Sequence, residues 1–159
     1  MESRNDEAMH MIHGARRIYV DADACPFKDV IVEIAAMYGL GVTMIASYSH
    51  EIRMEDPVEV VRVDRGRDTA DYAIANRVAP DDIVVTQDYG LAAMVLGKGA
   101  RALTPRGQVY EPAAIESLLA TRHLAQKERR AGGRTKGPPR LTRADRERFR
   151  RALENLAGR

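Results

Sequence analysis

Five short apolar runs constrain what this chain can become: RIYV at 17–20, VTMIA at 42–46, VEVVRV at 58–63, DIVVT at 82–86 and ARALT at 100–104. Each is strand length, and what separates them is helical in period or rich in turn formers. Pro26 stands at the start of FKDVIVEIAAMYG, where a first helical turn tolerates a residue without an amide hydrogen. Val30, Ile31, Ile34, Ala35 and Tyr38 then recur at helical spacing, and Gly39 supplies the stop. Asp68 and Thr69 lead into ADYAIANRV, whose Ala70, Ala73, Ile74 and Val78 can face a sheet before Pro80 and two aspartates end the run. YGLAAMVLGKG reads as a further helix closed by Gly97 or Gly99. The order βαββαβαβ, with crossovers long enough for parallel connections, predicts an α/β domain with a mostly parallel sheet of about five strands. The polar connection SYSHEIRMEDP is longer than a turn and could reach over a site. Beyond PRGQVY, a helix is expected over 111–130, a linker over 132–139 and an amphipathic helix over 142–157.

A chain of 159 residues suits one domain with a real core and a tail. Residues 1–16 read as a disordered leader without targeting character, 17–130 as the α/β domain and 131–159 as a basic linker with a terminal helix. At 45% hydrophobic and 30% charged residues the composition is that of a soluble globule. No segment approaches the roughly 20 apolar residues a bilayer span needs. The single cysteine, Cys25, excludes an internal disulfide framework and fits a reducing cytoplasm. The net charge of +2 conceals a division, because residues 1–121 carry 12 basic and 19 acidic side chains and residues 122–159 carry 13 basic and 4 acidic. The basic end could hold a polyanion through its phosphates, or it could pair with the acidic body.

Five aspartates stand where strands should end: Asp21 and Asp23 in YVDADACP, Asp68 and Asp71 in RGRDTADYA, and Asp88 in VTQDYG. A parallel sheet gathers its strand C-termini at one edge, so carboxylates distant in sequence can share a divalent metal there. Asp21 and Asp23 point the same way if the strand persists through both and diverge if it turns early. Asp68 and Asp71 fall on neighbouring helix positions if both are helical. Such a cluster would repel itself unless a cation or hydrogen bonds compensated, which is why it suggests Mg²⁺ or Mn²⁺. Each aspartate alone is equally at home as a cap or turn residue. His10, His13, His50 and His123 are scattered and form no zinc pattern.

Among other polar residues, Thr86 could hold a metal-bound water or orient Asp88, and Lys28 and Arg67 are candidate phosphate contacts. Ser49, beside Ser47 and His50, suits substrate contact better than a nucleophile system, since no third partner is identifiable. Cys25 precedes Pro26 and could sit at a positive helix end, but without a paired cysteine or adjacent histidine it reads more readily as a buried wall residue.

The motifs YVDADACPFKD, DTADYAIA, DIVVTQDYGLA, GARALTPRG and TKGPPRLTRADRERFRRAL occur in this order over about residues 17–156. They resemble the YaiI/YqxD family of uncharacterised bacterial proteins. The resemblance implies a three-layer PIN-like, Rossmann-like domain, of a superfamily containing many Mg²⁺- or Mn²⁺-dependent nucleases. It places Asp21 at the first acidic position, Asp68 or Asp71 in the central acidic region and Asp88 after the fourth strand, with Asp23 in the family's own motif. The acidic spacing is more compact than in the nucleases, and no later carboxylate of the pattern follows Asp88. A divalent-metal nuclease preferring RNA to DNA is therefore expected, with Arg134, Lys136, Arg140 and Arg143 of the tail as phosphate contacts. The alternatives are a binding module for nucleic acid or protein, a homo-oligomer included, and a small-molecule phosphatase.

Overall fold

A computed structural model describes residues 16–47, 58–64, 69–115 and 140–159. Strand β1 (Arg17–Asp21) runs into a 3-10 turn at Ala22–Ala24, followed by helix α1 (Lys28–Tyr38) and β2 (Gly41–Ser47). Then come β3 (Val58–Val63), α2 (Thr69–Ala75), β4 (Ile83–Val85), α3 (Tyr89–Gly97) and β5 (Arg101–Leu103). Residues 112–115 are helical, and α4 spans Arg143–Ala157. The rest of the 111–130 helix and the linker expected over 132–139 lie outside the described residues.

All five strands are parallel, in the order β3-β2-β1-β4-β5. The chain builds outward from β1 through β2 to β3, then returns to the other side of β1 for β4 and β5. The connections therefore diverge between the C-terminal ends of β1 and β4, and this switch point is where open parallel sheets hold ligands.

Strand alternation divides the core into two layers. Ile18, Val20, Met44, Ile83, Val85 and Leu103 face α1 and α4, whereas Tyr19, Ile45, Val84 and Ala102 face α2 and α3. Helices on both faces of one sheet make a three-layer α/β fold, as the family resemblance implies.

Local details depart from the sequence reading in small ways. Pro26 lies in a bend, and Lys28 opens α1 behind Phe27 as N-cap. Tyr38 shares helical spacing with the buried residues, yet at 40% exposure this last residue of α1 lies outside the core. Gly39 ends the helix in the left-handed conformation (φ 69°), with its amide donating to the Ala35 carbonyl. Helix α2 stops at Ala75, but Val78 just beyond it is still buried.

The terminal helix is part of the core. Phe149 and Leu153 are fully buried and Leu156 nearly so, packed with Phe27, Ile31 and Ile34; each such side chain contributes about 1.5–3 kcal/mol when buried. Its start is fixed by a reciprocal cap: Thr142 Oγ1 accepts from the Asp145 amide at 3.2 Å, and Asp145 Oδ2 accepts from the Thr142 amide at 2.8 Å. The Arg16 guanidinium donates to the Leu156 and Ala157 carbonyls, satisfying groups that a helix end leaves unpaired.

Candidate functional site

Asp21 is the last residue of β1 and lies half-buried at the switch point. The chain tightens at once into the 3-10 turn, so Asp21 and Asp23 do not stay on one face of a strand. Asp23 is exposed, and its carboxylate accepts from the Ser47 amide at 3.2 Å, tying the turn to the end of β2. Lys28, a candidate phosphate contact, donates from Nζ to the Cys25 carbonyl at 2.6 Å and braces the same turn.

The other wall comes from β4. Thr86 extends the strand, its amide donating to the Leu103 carbonyl at 3.1 Å, and its side chain is buried. Thr86 Oγ1 accepts from the Asp88 amide at 3.0 Å, which holds the backbone of Asp88. Asp88 is the N-cap of α3 and accepts from the Leu91 amide through Oδ1 at 3.0 Å. Burial, and then the nearby charges of Asp23 and Asp88, push the Asp21 carboxyl up to about 6 from an ordinary 3.8.

Asp21, Gln87, Asp88 and Tyr89 border an open cavity of about 490 Å³ together with Thr104, Pro105, Arg106, Gln108 and Tyr110. Tyr110 is buried, donates its hydroxyl to the Thr86 carbonyl at 3.1 Å and meets Tyr89 edge-on at 5.9 Å. Burial first, and then Tyr89 and Asp88, hold its phenol above the usual range, so Tyr110 stays neutral. The sequence reading missed Arg106, Gln108 and Tyr110. The available signal was the position of TPRG directly after the last strand, on the same edge as the aspartates.

Asp71 lies in the first turn of α2, half-buried, on the helix layer that also contains α3. Asp68, Arg67, Ser49, Arg134 and Lys136 lie outside the described residues. Arg140 and Arg143 are exposed at the start of α4. Cys25 is buried, and burial pushes its thiol up to about 11, which suits the wall position expected of it and leaves little thiolate.

Among the described residues, no group of three or more His, Cys, Asp or Glu side chains is placed to hold a metal ion. The pair Asp21 and Asp88 still suits a small hard cation, which keeps several waters and takes one or two carboxylates from the protein. A cation there would favour the ionised form of Asp21, whose carboxyl is raised by burial first and then by the charges of Asp23 and Asp88. Among the described residues no helix is long and apolar enough to cross a membrane.

Comparison with known proteins gives a consistent match along the chain. The family model described as the uncharacterised YaiI/YqxD family matches residues 19–159. A UPF0178 protein of Halalkalibacterium halodurans is 46% identical over 139 residues, covering 87% of this chain and 88% of its own. One from Ruminiclostridium cellulolyticum is 50% identical over 137 residues, covering 86% and 89%. Another from Bacillus cereus is 46% identical over 142 residues, covering 88% and 97%. No solved structure matches the chain.

Proposed function

The chain belongs to the YaiI/YqxD family of uncharacterised bacterial proteins, and we propose that this member is a divalent-metal-dependent phosphodiester hydrolase acting on RNA in preference to DNA. The observation that carries the reading is that Asp21 and Asp88, from the ends of the neighbouring strands β1 and β4, border one cavity at the switch point. These two carboxylates would hold Mg²⁺ or Mn²⁺, with Asp68 or Asp71 completing the set. When bound, the ion would supply Lewis acidity and a water of lowered pKa.

The chain's own residues do the positioning. Thr86 and the Leu91 amide fix Asp88, while Tyr89 and Tyr110, in edge-on contact, line the same cavity. The preference for RNA rests on the resemblance to PIN-like nucleases. The exposed Arg140 and Arg143, with few aromatics nearby, suit phosphate contact more than base stacking.

The test is cleavage of labelled RNAs and DNAs with Mg²⁺, Mn²⁺ or chelator. Wild type is compared with an Asp21→Asn plus Asp88→Asn double variant, in which asparagine keeps the cap of α3 while removing the charge. Metal-dependent product from wild type alone is expected, with at least a hundredfold loss in a variant that remains cooperatively folded. Equal cleavage by both proteins would sink the assignment. A second reading, nucleic-acid binding without turnover, is favoured by the two-carboxylate character of the described site. Salt-sensitive binding with no cleavage would select it.

A further inference from the structure

We infer that Arg106 is the phosphate-contacting residue of this cavity and that Asp145, carried by the C-terminal helix, holds it in place; the inference rests on reading the cavity as a phosphodiester site. Arg106 lies in the tight turn that follows β5, where the Gly107 amide donates to the Thr104 carbonyl at 3.0 Å. It borders the same cavity as Asp21 and Asp88. Its Nη1 donates to Asp145 Oδ2 at 3.2 Å, joining residues 39 positions apart. The Asp145 side chain is only 4% exposed and is itself held by the Thr142 amide and, at 2.5 Å, by Arg148.

The turn cannot drift from this arrangement without losing its contact with α4. Gly107 has φ 85°, and a Cβ there would stand 2.5 Å from the Arg148 carbonyl carbon and 2.7 Å from the Phe149 nitrogen. The backbone of α4 is thus pressed against the turn, and Asp145 on its first turn reaches the neighbouring guanidinium. The result is a cavity with two carboxylates from β1 and the β4–α3 junction and a guanidinium from the turn after β5. That polarity suits a phosphodiester whose oxygens meet a cation on the acidic wall and Arg106 on the other, since guanidinium is the side chain best matched to phosphate. It also gives the basic C-terminal segment a role distinct from nonspecific attraction, because α4 shapes the site through one buried acid.

The experiment measures binding of a fluorescein-labelled oligouridylate, with Ca²⁺ replacing Mg²⁺, as a function of salt. Arg106→Ala should weaken binding by roughly tenfold or more and reduce the slope of log affinity against log salt by about one, with its melting temperature close to that of wild type. Arg106→Lys should restore the slope but only part of the affinity. Asp145→Asn should weaken binding when Arg106 is present and have no further effect in Arg106→Ala, whereas a purely structural role would act equally in both backgrounds. Arg150→Ala, on the same helix but paired with Glu33, should bind as wild type does. Wild-type affinity in Arg106→Ala, additive effects of the two substitutions, or failure of wild type to bind the probe would overturn the inference. Arg106-dependent binding by a protein that cleaves neither RNA nor DNA would retain it while removing the hydrolase. Metal-dependent cleavage lost in the Asp21 and Asp88 variant, but untouched by Arg106→Ala, would do the reverse.

Discussion

Asp21 and Asp82 flank opposite ends of neighbouring strands, and the fold uses them in opposite ways. Asp82 is fully buried before β4, where its carboxylate accepts from the Arg17 amide at 2.9 Å and the Ala79 amide at 2.8 Å. It is a structural aspartate whose charge is met by backbone donors. At the other edge, Asp21 meets burial and two further acids, and its folded pKa of about 6 lies above the ordinary 3.8. A raised carboxyl stabilises the native state when protonated, so its contribution is full below the unfolded pKa and is lost as pH rises through about 6. Asp21→Asn should therefore raise the stability of the metal-free protein at neutral pH by up to about 3 kcal/mol, with the gain vanishing in acid. Melting curves across pH in chelator check this, and a variant less stable than wild type at neutral pH would refute it. Saturating Mg²⁺ should narrow the difference, because only wild type gains a bound ion.

Helix α4 shows how much an element's role depends on what it packs against. Its amphipathic character was legible in the sequence, as was its extent to within a residue. Its destination was not, because periodicity reports that a face will be buried and says nothing of the partner. Phe149 packs at 5.8 Å and a tilt of 30° against Phe27, which carries Arg146 on its ring at 5.8 Å. Phe149→Ala should cost about 3–5 kcal/mol, read as a shift in the urea midpoint with an unchanged slope. A loss under about 1 kcal/mol would be that of a peripheral residue, at odds with the burial of this ring. Thr142→Ala, which removes the cap without touching the core, should cost about 1 kcal/mol in the same assay.

Across the whole molecule, the contrast between an acidic body and a basic end is partly consumed by the fold itself. Arg146 pairs with Asp29 at 2.5 Å and Arg150 with Glu33 at 3.0 Å, both across the α1–α4 contact. Arg106 and Arg148 converge on Asp145. The two pairs are surface contacts weakened by solvent screening, so they align the helices more than they hold them together. They also withdraw arginines from any polyanion, leaving Arg140 and Arg143 as the exposed cations where α4 begins. Replacing both with glutamine should lower the salt slope of oligonucleotide binding by up to about two without moving the melting temperature. Deleting residues 140–159 should instead abolish cooperative unfolding, since Phe149, Leu153 and Leu156 leave the core with them.

Local chemistry determined the elements. Strand runs, helical periods, Gly39 as a stop and Thr142 as a cap depend on residues within a few positions of one another, and such short-range preferences are written in the order of side chains. Asp21 and Asp88 could likewise be singled out, because each follows a strand. What the tertiary structure decided was which of these residues meet. The placement of β4 beside β1 brought Asp21 and Asp88 to one cavity, the early 3-10 turn sent Asp23 to Ser47, and the docking of α4 set Asp145 against Arg106. Each of those outcomes joins segments far apart in the chain through packing, and packing partners carry no mark in the local sequence.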